Sequence, residues 1–146
     1  MEHLVIITPD LNIEGALVHA EIYPSERTFL NSKNGQMQLS ARSYKMLLDT
    51  GSNISALDRT MIEMLQLPLY TEKAFVDGAG GLATLHRYRC VLYLEIFGRK
   101  ALPLDILEGR FENSPYDGVI GRDVLQYCNM SYDGPANSFR LSAPNF

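Results

Sequence analysis

The stretch Met46-Leu47-Leu48-Asp49-Thr50-Gly51-Ser52-Asn53 decides how the chain is read. Three apolar residues run straight into Asp-Thr-Gly-Ser. The apolar run predicts a buried strand, and Asp49-Thr50-Gly51 predicts a sharp turn at its end. Gly51 has access to backbone angles that other residues resist, so the chain is expected to fold tightly behind the carboxylate. Thr50 adds a hydroxyl able to bind nearby backbone groups. The expected product is one carboxylate fixed at the end of a rigid strand. Most Asp-x-Gly tripeptides are only acidic turns after core strands, so the weight falls on the rest of the chain.

A chain of 146 residues suits one domain spanning 1–146, a size that buries roughly 70% of its unfolded surface. The apolar share of 46% is ordinary for a globular protein. Net charge is −4 and the pI is about 5.3. No basic tract exists, so nucleic acid is not an expected partner. No apolar run approaches the ~20 residues that span a bilayer. The N-terminus lacks a cationic region followed by a long apolar stretch. The expectation is therefore no signal peptide, no membrane association and a cytoplasmic location. Cys90 and Cys128 are far apart and make no metal-type spacing, so reduced core thiols are expected rather than a disulfide.

Working outward, residues 3–8 predict a short apolar strand and Pro9 to Gly15 a turn. Residues 16–23 predict a strand with Val18, Ala20 and Ile22 on one face. Residues 24–35 are polar, and Asn34-Gly35 is a hairpin-turn signal. A strand is expected over 36–49. Ser55 is placed to cap a helix over about 56–66 with Met61, Met64 and Leu65 on one face, ended by Pro68. Residues 72–97 predict a long hairpin with its tip at Asp77-Gly78-Ala79-Gly80-Gly81. The returning strand alternates through Tyr88, Cys90, Leu92, Leu94 and Ile96. Gly98 turns the chain into 101–107, a loop covers 109–117, and Val119-Ile120-Gly121 is a short buried strand. A short helix over about 122–127 and a last strand over 138–142 complete the pattern. Many short strands with few helices point to a closed or folded β architecture.

The order of features is specific: apolar-apolar-Asp-Thr-Gly-Ser, a Gly-rich hairpin tip, Gly98-Arg99-Lys100-Ala101, then Val119-Ile120-Gly121-Arg122-Asp123-Val124-Leu125. Over about residues 40–127 this resembles the retroviral-type aspartic proteases, the retropepsins, and their bacterial and cellular relatives. The resemblance implies an all-β fold, a closed acid-protease β-barrel with one or two short helices and a Gly-rich flap hairpin. It implies an aspartic endopeptidase that works as a homodimer on peptide or protein substrates, cutting between apolar residues without cofactor or metal. It makes Asp49 the catalytic carboxylate, supported by Thr50 and Gly51, and places a flap at 75–82. Substrate-binding positions are then Leu47, Ser52 and Asn53, the flap residues Val76, Asp77, Gly78, Ala79 and Gly80, and Val119. Three departures stand out. Asn53 replaces an acid that usually pairs with the Arg after Ile-Gly, so Arg122 is expected to turn to another acid such as Asp123. Asp77 stands where the flap commonly has Gly, and Ala79 where it has a bulkier residue. Residues 24–41 and the C-terminal tail exceed a minimal retropepsin, with 138–146 the expected contributor to a dimer interface.

The chemistry explains the pairing. Aspartic proteolysis needs two carboxylates sharing one proton, because like charges about 3 Å apart do not both ionise. The ionised member draws a proton from water, and the protonated member stabilises the charge that develops on the carbonyl oxygen. Asp77-Gly78, Asp117-Gly118 and Asp133-Gly134 lack the middle residue and read as ordinary turns, so the second carboxylate must come from Asp49 of another copy. Ser52 is placed to donate to the carboxylate or simply to fill the turn. Gly78, Gly80 and Gly81 would let backbone approach an extended peptide. His3, His19 and His86 are scattered with no metal spacing, and no Gly-x-Ser-x-Gly elbow exists. The alternative is a catalytically silent dimeric peptide-binding or scaffold domain of the same fold, against which the intact Asp-Thr-Gly argues.

Overall fold

The computed structural model describes residues 3–35, 43–78 and 81–146, and over 71–84 it describes the backbone alone. In chain order the elements are β1 (His3–Ile7), α1 (Leu11–Glu14), β2 (Leu17–Tyr23), α2 (Glu26–Lys33), β3 (Ser43–Leu48), β4 (Ala56–Asp58), α3 (Arg59–Leu65), β5 (Leu69–Gly78), β6 (Gly81–Tyr93), a 3₁₀ turn (Glu95–Phe97), β7 (Leu102–Gly109), β8 (Gly118–Ile120), α4 (Arg122–Leu125), β9 (Asn129–Asp133) and β10 (Ser138–Ser142).

Six strands close on themselves in the order β2-β3-β8-β4-β7-β6. Closure comes from β6, whose Val91, Leu92 and Tyr93 pair back onto Tyr23, Ile22 and Glu21 of β2. The alternation expected in these strands is what fills the barrel. Val18, Ala20 and Ile22 of β2 and Cys90 and Leu92 of β6 are all buried, joined by Met46, Leu57, Ile106 and Ile120. Side chains alternate across a strand, so a period of two puts the whole apolar set on the inside. β5 continues the sheet beyond β6 and the two form the expected long hairpin, with Asp77 opposite Leu82 and Gly78 opposite Gly81. Ala79 and Gly80, the centre of the expected flap tip, lie outside the described residues.

A second sheet, β1-β10-β9, packs beside the barrel. Phe139 and Leu141 of β10 enter the main core, and Phe146 stacks on Phe97 with ring centroids 3.9 Å apart. The segment 138–146, expected at a dimer interface, is thus already engaged within its own chain. β10 is the central strand, with β1 on one edge and β9 on the other, so it has no free edge to offer a partner. β9 itself carries no clear alternation and was not expected from the sequence.

Three further expectations change. Residues 26–33 form a helix rather than a hairpin loop. Ser25 Oγ accepts from Thr28 N–H at 3.1 Å as its N-cap, and Asn34 is the C-cap. Gly35 follows in a left-handed conformation, φ 69°, so Asn34-Gly35 ends a helix instead of turning a hairpin. The strand expected over 36–49 is seen from Ser43; residues 36–42 lie outside the described residues. The helix expected from 56 starts at Arg59, and Ala56–Asp58 is a barrel strand. Its cap is Asp58, whose Oδ2 accepts from Thr60 N–H at 3.1 Å. Its buried residue is Ile62, while Met64 is exposed. Among the described residues four short helices stand where one or two were expected, two of them in the turn and polar segments before β3.

Candidate active site

β3 runs through the barrel wall with β8 parallel beside it, Leu47 opposite Val119 and Leu48 opposite Ile120. Asp49 leaves the end of β3 and its N–H donates to Ile120 carbonyl at 2.9 Å. On the other flank, Leu48 N–H donates to Ala16 carbonyl at 2.9 Å. The carboxylate thus stands where two strands end together. Gly51 N–H donates to Asp49 Oδ1 at 2.9 Å, and Ser52 N–H to Asp49 carbonyl at 3.2 Å. A carboxylate that accepts a backbone N–H is held in one orientation.

The reason for Gly51 differs from the sequence expectation. Its φ is not in the left-handed region. A Cβ there would lie 3.2 Å from Asp49 Oδ1, so the missing side chain makes room for the carboxylate to reach the amide. Thr50 is exposed at the rim of the turn.

Ser52 does not donate to Asp49. Its Oγ donates to Ile54 carbonyl at 2.7 Å, closing the turn on itself. Nor does Arg122 pair with Asp123. Arg122 Nη1 donates to Thr50 carbonyl at 2.7 Å, and Arg122 N–H donates to Ser52 carbonyl at 2.8 Å. With no acid at position 53, the guanidinium uses backbone of the Asp-Thr-Gly-Ser turn directly.

Asp123 belongs to a buried latch that sequence reasoning missed. Ser55 is 0% exposed. Its N–H donates to Asp123 Oδ2 at 3.0 Å and its Oγ–H to Asp123 Oδ1 at 2.7 Å, while the same Oγ accepts from Gly121 N–H at 3.0 Å. The segments 52–55 and 121–123 are clamped so closely that a Cβ on Gly121 would sit 2.8 Å from Ser52 carbonyl oxygen and 2.9 Å from Ile54 carbonyl carbon. Ser55 resembled a helix cap because it precedes an amphipathic stretch. The usable signal was Asp58, which stands immediately before the first helical residue. Asp117, an ordinary Asp-Gly turn by sequence, anchors β3 instead: its Oδ2 accepts from Lys45 N–H at 2.9 Å.

Leu47 and Val119 are half-buried beside Asp49, whereas Ile120 is fully buried behind them. A Cβ on Gly15 would fall 2.6 Å from Leu47 Cδ1, so the end of α1 presses against Leu47. Asn53 is exposed on the same turn. The backbone of Val76, Asp77 and Gly78 is at the end of β5, approaching the hairpin tip. Both cysteines are free, as expected. Burial pushes the Cys128 thiol up to about 11 and the Cys90 thiol higher still, with the charges of Asp105 and Asp123 adding to the latter. Among the described residues no group of three His, Cys, Asp or Glu side chains is placed to hold a metal ion.

A closed six-stranded barrel that ends one central strand in Asp-Thr-Gly defines a retropepsin-like aspartic protease fold. The aspartyl protease family model matches residues 34–124, and the chain belongs to that family. No curated protein matches it in sequence. Several solved structures share the fold, among them these two. One is EIAV protease in complex with the inhibitor HBY-793, at TM-score 0.54 and 18% identity, covering 82% of this chain and 92% of that one. The other is a retropepsin-like aspartic protease from Rickettsia conorii, at TM-score 0.56 and 11% identity, covering 95% and 89%.

Proposed function

We propose that this chain is an aspartic endopeptidase that works as a homodimer, its 146 residues acting as one domain with Asp49 as the catalytic residue of each copy. The observation that carries the reading is the Asp49 carboxylate itself, oriented by Gly51 N–H at the joint end of β3 and β8. Each chain has a single Asp-Thr-Gly. A two-fold axis beside the turn supplies the second carboxylate, because such an axis brings equivalent atoms together. The paired groups then share one proton across about 3 Å. One Asp49 takes a proton from water, which attacks the peptide carbonyl. The other donates a hydrogen bond to the carbonyl oxygen as it gains charge, then passes its proton toward the leaving amine. Arg122 holds the turn from behind through Thr50 and Ser52 carbonyls.

Substrate is an extended peptide with apolar side chains at the cleavage point. Leu47 and Val119 supply the apolar walls, and Ser52 and Asn53 supply polar groups along the turn. The β5–β6 hairpin, through Val76, Asp77, Gly78, Ala79 and Gly80, is the element that closes over it. An added strand satisfies its backbone against protein backbone and leaves side chains to set specificity.

The test is Asp49→Asn. An amide is nearly isosteric with the acid but accepts no proton. Thermal unfolding should be close to wild type, while cleavage of an apolar peptide library should vanish. Excess Asp49→Asn chains should also poison wild type through mixed dimers. Equal turnover by the purified variant would refute the mechanism. Peptide binding without cleavage by both proteins would favour the silent scaffold.

A further inference from the structure

We infer that the cleft between the end of α2 and the Gly98–Arg99 turn binds the C-terminal residue of a peptide, with an apolar side chain against Phe29 and Leu30 and the free carboxylate on Arg99. The endopeptidase reading above enters only as the source of such a ligand, since cutting between apolar residues leaves one product ending in an apolar residue with a new carboxylate. The cleft is built on the outer side of the barrel. Ile22 and Leu92 enter the main core, while their neighbours Tyr23 and Val91 join Phe29 of α2 in a second, smaller core. Phe29 meets Tyr23 at 5.4 Å and Tyr93 at 5.2 Å between ring centroids. Tyr93 Oη–H donates to Gly98 carbonyl at 2.8 Å. Both walls are thus pinned to Tyr93. The space between them is about 390 Å³, lined by Phe29, Leu30, Lys33, Asn34, Gly98 and Arg99, a size that suits a small ligand.

The two cations on the cleft are not equivalent. Lys33 Nζ lies 3.1 Å and 3.2 Å from the two Glu21 carboxylate oxygens and 4.3 Å from the Tyr93 ring centroid. Its charge is answered there, and its stem serves as apolar wall. Arg99 is exposed and makes no ion pair among the described residues. A guanidinium offers a carboxylate two parallel N–H donors. The C-terminal end of α2 carries partial negative charge, which also directs the carboxylate to the Arg99 side. Carbonyls at a helix end lack helical partners and favour a ligand with an N–H to donate. Leu30, 46% exposed, leaves apolar surface over buried Phe29. A C-terminal apolar residue carries the carboxylate, the N–H and the side chain together, as a cleft this short requires.

The test is a titration of the whole wild-type chain with N-acetyl-leucine, followed by calorimetry and by the backbone amide NMR signals of Gly98 and Arg99. Those signals should shift with one-site saturation. N-acetyl-leucinamide, which lacks the charge, and N-acetylglycine, which lacks the side chain, should each bind about tenfold more weakly or worse. Arg99→Gln and Leu30→Glu should weaken N-acetyl-leucine by a similar factor. Both positions are exposed, so their Tm should stay within the range of ordinary surface substitutions. This pattern in a chain that cleaves no peptide would still support the site and would count against the peptidase reading alone. No binding, equal binding of acid and amide, or binding unmoved by Arg99→Gln would overturn the inference. So would acetyl-Glu-Leu-amide binding as tightly as N-acetyl-leucine through Arg99, since the cleft would then take acidic side chains instead of chain ends.

Discussion

Removing one hydroxyl, in Ser55→Ala, tests whether the buried latch holds the Asp-Thr-Gly-Ser turn. The Oγ makes two bonds, donating to Asp123 Oδ1 at 2.7 Å and accepting from Gly121 N–H at 3.0 Å. A bond to a charged group contributes about 1.5–3 kcal/mol net and a neutral one about 1. Asp123 keeps Ser55 N–H and Val124 N–H as donors, which places its share at the low end. Gly121 N–H, in a buried residue, loses its acceptor. The sum is about 3 kcal/mol of destabilisation. For a chain of this size that corresponds to a fall of roughly 6–12 °C in Tm. Thermal and urea unfolding should be measured at one fixed protein concentration, because association also stabilises the folded chain. Asp123→Asn alone and in combination completes a double-mutant cycle, and a coupling energy above about 0.5 kcal/mol is expected for groups in one network. Ser55→Ala within about 0.5 kcal/mol of wild type, the range of ordinary surface substitutions, would refute the latch.

Two further outcomes follow from packing and titration. Gly118→Ala should abolish soluble folded protein, since the new Cβ would lie 2.2 Å from Ala56 carbonyl oxygen inside the β8–β4 pairing; a folded variant with wild-type Tm would contradict the tight strand crossing. Stability should also fall in alkali. Burial raises Cys128 from 9.0 to about 11 and Cys90 further; burial and the bond to Glu21 raise Tyr23 to about 12. The unfolded chain therefore releases these protons first. The stabilisation is complete below about pH 9 and is lost as pH rises through 11 to 12. A Cys90→Ala Cys128→Ala variant should show a shallower decline between pH 9 and 11, and urea midpoints across that range would check it.

Much of the fold was legible because its signals are local. Alternation in 16–23 and over 88–92 reported which faces enter the barrel, as period two allows no other burial, while the strand expected to run on to 97 ends at Tyr93 and gives way to the 3₁₀ turn Glu95–Phe97. The run Leu47-Leu48-Asp49-Thr50-Gly51 marked where a strand ends in a carboxylate, and Val119-Ile120-Gly121 marked a short buried strand, whose pairing with β3 only the structure shows. Misreadings fell where one residue type serves two purposes. Asn34-Gly35 suits a hairpin and a helix end alike, and the helix that Thr28 N–H opens by donating to Ser25 Oγ separates them. Ser55 suits a helix cap and a buried latch alike, and burial decides between them.

By itself the sequence determined most of the barrel's strand pattern and carried the single Asp-Thr-Gly on which the proposed pairing of two copies rests, since each depends on residue order and count. Tertiary structure alone decided what the polar groups around Asp49 bind. Ser52 turns to Ile54, Arg122 to Thr50, and Asp123 to Ser55, sixty-eight residues away. A hydrogen bond requires two groups within about 3 Å, and nothing in the order of residues states which distant segments approach that closely. The same holds for the terminal strands. Only the pairing of β10 on both sides reveals that the chain's last strand is central and that β1 and β9 are the edges.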